Sequence, residues 1–68
     1  MDSVIVEQMH FIKGNFYIEL KDYANAVREL QTAVSTQGAS TDSYRSFAIA
    51  LANDGKIKEA QSTLETLQ

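Results

Sequence analysis

The chain has 68 residues, 44% of them hydrophobic and 22% charged, with no cysteine and no proline. A chain this short is one domain at most, since it buries only about 60% of its unfolded surface. Six Lys and Arg against nine Asp and Glu leave a net charge of -3, and the basic residues stand singly, which argues against a nucleic-acid face or a polybasic membrane patch. Without cysteine there is neither a disulfide framework nor a thiolate zinc site. The apolar runs Val4-Ile5-Val6 and Ala48-Ile49-Ala50-Leu51-Ala52 fall far short of the ~20 residues of a membrane span. Met1-Asp2-Ser3 lacks the positive start of a signal peptide, so a cytoplasmic location is expected.

In chain order, a first helix is predicted from Val4 to Leu20, where Ile5, Met9, Ile12, Phe16 and Leu20 recur at three- and four-residue steps. Asp22 is a candidate N-cap for a second helix over Tyr23 to Val34, with Tyr23, Ala26, Val27, Leu30, Ala33 and Val34 on one stripe. A polar break at 35–41 follows, with Gly38 free to take positive φ and Ser40 or Thr41 placed to cap the next helix. A third helix is predicted from Asp42 to Asn53, with Tyr44, Phe47, Ala48 and Leu51 inward. Asp54-Gly55 marks a tight turn, and a fourth helix from Lys56 to Leu67 is expected to bury Ile57, Ala60, Leu64 and Leu67. The fold class is therefore all-α, four helices in two antiparallel hairpins, because short connections make neighbouring helices antiparallel.

The second hairpin repeats the first at an offset of about 34 residues. Gly14 falls on Ala48, Tyr17 on Leu51, Tyr23 on Ile57, Ala26 on Ala60, Leu30 on Leu64, Ala33 on Leu67 and His10 on Tyr44. Apart from Ala33 and Leu67, small residues align with small and large with large, as close helix crossings require. The string Lys13-Gly14-Asn15-Phe16-Tyr17 followed by Asp22-Tyr23, Ala26 and Val27, with Tyr44, Phe47-Ala48, Leu51, Gly55 and Glu59-Ala60 in the second unit, resembles the tetratricopeptide repeat. His10 replaces the first aromatic of that pattern, Lys13 its Leu, and Gly38 its closing Pro, while Lys21 and Lys56 alter the Gly-Asp turn. The resemblance implies one domain over 1–68, with repeats at about 7–40 and 41–68, stacked as a short right-handed superhelix. It also implies a concave groove for a protein or peptide partner, lined by Gln8, Phe11, Asn15, Ile18 and Glu19 and then by Asp42, Arg45, Ile49, Ala52 and Asn53.

Catalytic chemistry finds no foothold in the sequence. His10 is the only histidine and is expected to pack at the core rim. Glu7, Glu19, Glu29, Glu59 and Glu65 fall at solvent-side positions, no serine has a triad context, and the three glycines are isolated. Neither enzyme activity, metal nor cofactor is expected. Tyr17, Tyr23, Tyr44 and Phe47 are assigned to the core. The first helix is apolar nearly all round, with Val4, Phe11 and Ile18 seven residues apart on one stripe. That stripe is expected to be buried in a homodimer or against a partner protein, because two repeats leave two open faces, and the family's extra capping helix is absent after Gln68, which ends the second hairpin. The carboxylate clamp of chaperone-binding relatives does not carry over. Asn15 matches one of its positions, but Phe11 and Ser46 replace its Lys and second Asn.

The predicted function is thus a non-catalytic protein–protein interaction module. Its partner-binding residues are Val4, Phe11, Asn15, Ile18, Arg45 and Ile49, and it takes an apolar peptide or amphipathic helix or packs against another subunit. The alternatives are a self-assembling scaffold and a small chaperone shielding a hydrophobic substrate. A helix-turn-helix DNA binder ranks below these, since no helix presents a basic face.

Overall fold

A computed structural model describes residues 2–67. The first helix, α1 (Ser3–Glu19), opens at Asp2, whose carboxylate accepts from the Val4 amide at 2.9 Å. It closes in a turn that the chain uses twice. The Lys21 amide donates to the Ile18 carbonyl and the Asp22 amide to the Tyr17 carbonyl, both at 2.9 Å. One repeat later, the Gly55 amide donates to Ala52 at 3.2 Å and the Lys56 amide to Leu51 at 2.8 Å. Both turns use left-handed backbone at the equivalent residue, with φ of 61° at Lys21 and 85° at Gly55. This crossed pair of bonds satisfies carbonyls that a helix end leaves free. The two helix ends, 34 residues apart, thus share one backbone conformation.

Helix α2 (Tyr23–Ser35) is capped by Asp22, and α3 (Thr41–Asn53) by Ser40, whose side-chain oxygens accept from Asn25 and Ser43 amides. Gly38 supplies the positive φ of the loop between them. Helix α4 (Ile57–Glu65) has no side-chain cap and ends short of the predicted Leu67, which lies in the turn beyond it. Gln68, expected to close the second hairpin, and Met1 lie outside the described residues. Among the described residues there is no strand, and no helix is long and apolar enough to cross a membrane.

Sequential helices pack on one another, α1 on α2, α2 on α3 and α3 on α4, and α1 also touches α3. The two hairpins thus stack into a slab of 33 × 29 × 13 Å. The thin dimension holds about two helix layers at ordinary 8–10 Å spacings, so every helix keeps a face to solvent. Ala26, Leu30, Phe47, Ala48, Ala50, Leu51 and Ala60 form the core, with Ala26 and Ala60 buried at equivalent crossings as the register requires.

Gly14 lies against Leu30. A Cβ built at Gly14 would sit 2.4 Å from the Leu30 Cγ, closer than any real contact. Leu30 is fully enclosed, so it has nowhere to retreat. The absent side chain is what lets α1 and α2 approach.

Four expectations change. Ile57 and Leu64, assigned to the core, are about half exposed, because no described element packs over the outer side of α4. Tyr17, Tyr23 and Tyr44 are only half-buried, and of the four core aromatics Phe47 alone is fully covered. Glu7 and Glu29, assigned to solvent, are respectively buried and half-buried. The exposed apolar stripe of α1 is not Val4–Phe11–Ile18. Of those three only Val4 is exposed; Phe11 and Ile18 pack against the core, whereas Ile5, Met9, Ile12, Phe16 and Leu20 point outward.

Candidate functional site

The six predicted partner-binding residues fall on different parts of the surface. Val4 and Phe11 line a depression of about 400 Å³ between α1 and the start of α3, together with Gln8 and Asp42. Asn15 lies on a separate shallow surface of α1 beside Ile12, Phe16 and Glu19. Ile18 is half-buried against the core. Arg45 and Ile49 come together in a third depression, between α3 and α4.

The first depression is built around a charge. Glu7 is 6% exposed, and its Oε2 accepts from the Ser40 amide at 2.6 Å and from the Ser43 hydroxyl at 2.7 Å. The Ser40 backbone bond, then the Ser43 bond, hold the Glu7 carboxyl below its ordinary value of 4.5, against the opposing effect of desolvation. Ser40 meanwhile caps α3 with its own hydroxyl. Glu7 therefore clasps the first turn of α3 to α1 through its Oε2.

His10 makes a second polar clasp within the first hairpin, its Nδ1 lying 2.8 Å from Glu29 Oε1. It takes the rim position expected of it, by pairing with a carboxylate rather than by packing alone. Among the described residues no group of three or more His, Cys, Asp or Glu side chains is arranged to hold a metal ion.

The third depression differs in kind. It is a groove of about 350 Å³ with Ala48, Ala52 and Ala60 along its floor, Ile49 and Leu64 on its sides, and Arg45 at the edge. Ile49 is 52% exposed and Leu64 47% exposed, although both are large and apolar. The groove arises from composition and stacking together. Alanines at 48, 52 and 60 leave room along the helix crossing, and no described element covers the far side of the second hairpin. Its chemistry suits an apolar side chain arriving from solvent, with one guanidinium to orient a polar group nearby.

Sequence reasoning placed Arg45, Ile49 and Ala52 on a binding face and assigned Leu64 and Ala60 to the interior; Ala60 is buried and also borders the groove, whereas Leu64 stands half exposed. Comparison with known proteins adds no relative to this geometry: no protein-family model, curated protein or solved structure matches the chain.

Proposed function

We propose that the chain is a cytoplasmic, non-catalytic protein-binding module of the two-repeat tetratricopeptide type, and that it takes an apolar helix in the groove between α3 and α4. The observation that carries this reading is the groove itself, where Ile49 and Leu64 flank an alanine floor and stand half exposed. Large apolar side chains held open around a cavity gain free energy when a partner covers them, at about 25 cal/mol per Å² of apolar surface. The repeat-type reading is supported by the paired turns at Lys21 and Gly55 and by the equivalent crossings at Ala26 and Ala60.

Peptide display against the folded chain tests it. Wild type should select peptides with apolar residues at three- and four-residue spacing. Those peptides should lose binding to Ile49→Glu and keep it for Asn15→Ala, since Asn15 lies on another surface. Peptides indifferent to Ile49→Glu would remove the groove as the site.

A further inference from the structure

The outward stripe of α1 has a counterpart elsewhere in the same chain. Ile5, Met9, Ile12, Phe16 and Leu20 lie opposite Glu7 and Gly14, the buried residues of α1, and Ile12 reaches 65% exposure. About half of five large side chains amounts to roughly 500 Å², near the upper end of what a lone chain leaves uncovered. One repeat step carries Met9, Ile12 and Phe16 onto Ser43, Ser46 and Ala50 of α3. Ser43 and Ala50 are fully buried where the second hairpin meets the first, as the Ser43–Glu7 and Tyr44–Val34 hydrogen bonds mark. The face that α1 leaves open is thus the one that α3 closes against a neighbouring hairpin.

The same step applied to the other side of that junction leads to the α3/α4 groove. Phe11 and Ile18, which pack on the core from the first hairpin, map onto Arg45 and Ala52, both lining the groove. Side-chain sizes are exchanged between the two surfaces. Inside the chain, Ser43 of α3 shares a depression with Phe11 of α1, a small residue beside a large one. In the groove the floor is small, whereas the stripe is large, so the stripe fills what the groove lacks.

Charge follows the same mapping. Gln31 and Phe47 share one depression at the internal junction, and one repeat step turns them into Glu65 and Lys13, both exposed and of opposite sign. The buried carboxylate of the internal junction has no equivalent to strand. Glu7 maps onto Thr41, and Ser40 and Ser43 map onto Val6 and Met9.

We propose that the helix taken by the α3/α4 groove is α1 of a second copy of this chain, so that copies stack head to tail. The stripe Met9, Ile12 and Phe16 of one lies over Ala48, Ala52 and Ala60 of the next, and Lys13 meets Glu65 across the junction. This rests on reading the groove as a helix-binding site. The contact joins two different surfaces, so it does not close on itself and assembly continues with concentration.

Sedimentation equilibrium over a concentration series tests it with Phe16→Glu, which breaks the stripe, and Ile49→Glu, which breaks the groove. Wild type should associate beyond a dimer, and each variant alone should remain a monomer. Their equimolar mixture should give a dimer and nothing larger, because one partner keeps an intact groove and the other an intact stripe. Lys13→Glu should weaken wild-type association by about tenfold or less, and adding Glu65→Lys should restore it. Circular dichroism checks that each variant is folded. A wild-type monomer at every concentration overturns the proposal, as does a closed dimer that survives Ile49→Glu and is lost only in Phe16→Glu. If wild type is monomeric while displayed peptides still bind the groove, the second-copy assignment fails and the helix-binding reading stands. If neither occurs, both fail.

Discussion

Lys21 and Gly55 hold the same place in the two helix-closing turns, one repeat apart, and both lie in the left-handed region, at φ 61° and 85°. Glycine enters that region freely, whereas a side chain with a Cβ costs about 1–2 kcal/mol there. Lys21→Gly should relieve that cost and give back part of it through the freer unfolded chain. A net gain of about 0.5–1 kcal/mol is expected, read as a higher urea midpoint with an unchanged slope. Gly55→Ala should lose about 1 kcal/mol by the same physics. A Lys21→Gly variant less stable than wild type would mean that Lys21 makes contacts worth more than the backbone it strains.

The approach of Gly14 to Leu30 predicts the opposite response to an added methyl group. Gly14→Ala places a Cβ 2.4 Å from the Leu30 Cγ in a site with no free volume. Overpacking of this kind costs about 1–3 kcal/mol, against about 1 kcal/mol gained from alanine's better helix propensity. The variant should melt below wild type, and trimming the partner in Gly14→Ala/Leu30→Val should recover part of the loss. The equivalent residues Ala48 and Leu64 already carry the methyl group, and there Leu64 has solvent to move into.

Ala26 and Ala60 should respond unequally although they are equivalent by register. Ala26 is fully enclosed, whereas Ala60 borders the open groove. Ala26→Leu should cost about 1–3 kcal/mol, and Ala60→Leu distinctly less, because its side chain can extend into the cavity. Thermal denaturation of the two variants side by side measures the difference. Ala60→Leu should also block binding in the groove by occupying it. Equal losses at both positions would contradict an open α3/α4 groove.

Glu7 should make the fold acid-sensitive. Its folded-state pKa is lowered by the Ser40 and Ser43 hydrogen bonds, so its contribution is complete above the unfolded value near 4.5 and disappears as pH falls through the lowered folded value. At neutral pH, Glu7→Gln should lose about 1–3 kcal/mol, since a charge-assisted acceptor is replaced by a neutral amide. Between about pH 5 and pH 3, wild type should lose stability more steeply than Glu7→Gln, with the remaining carboxylates common to both. Urea midpoints measured across that range decide it. Parallel curves would mean that the clasp is equally strong with a neutral side chain.

Much of this architecture is local in origin and was legible in the sequence. The cap at Asp22, a cap at Ser40 or Thr41, the positive φ at Gly38, the turn at Asp54-Gly55 and the helices themselves all depend on residues within about five positions of one another. The repeat register carried this further, because equivalent crossings need equivalent small residues, and Ala26 and Ala60 are buried accordingly. Arg45 and Ile49, placed together by the resemblance, do line one depression, apart from the Phe11 and Asn15 grouped with them.

Orientation was decided only by tertiary structure. Helix α1 is apolar around most of its circumference, so its periodicity fixes a helix without choosing which side turns inward. The choice follows from Leu30 fitting against Gly14, a contact made by another helix, and it directs Phe11 and Ile18 toward the core while turning Ile12 and Phe16 out. The role of Glu7 is equally nonlocal, since a glutamate on a helix reads as solvent-facing until Ser40 and Ser43, more than 30 positions away, arrive to satisfy it. Leu64 repeats the lesson at the other end. Its position matches buried Leu30 in the register, yet burial belongs to pairs of elements, and no described element covers this one.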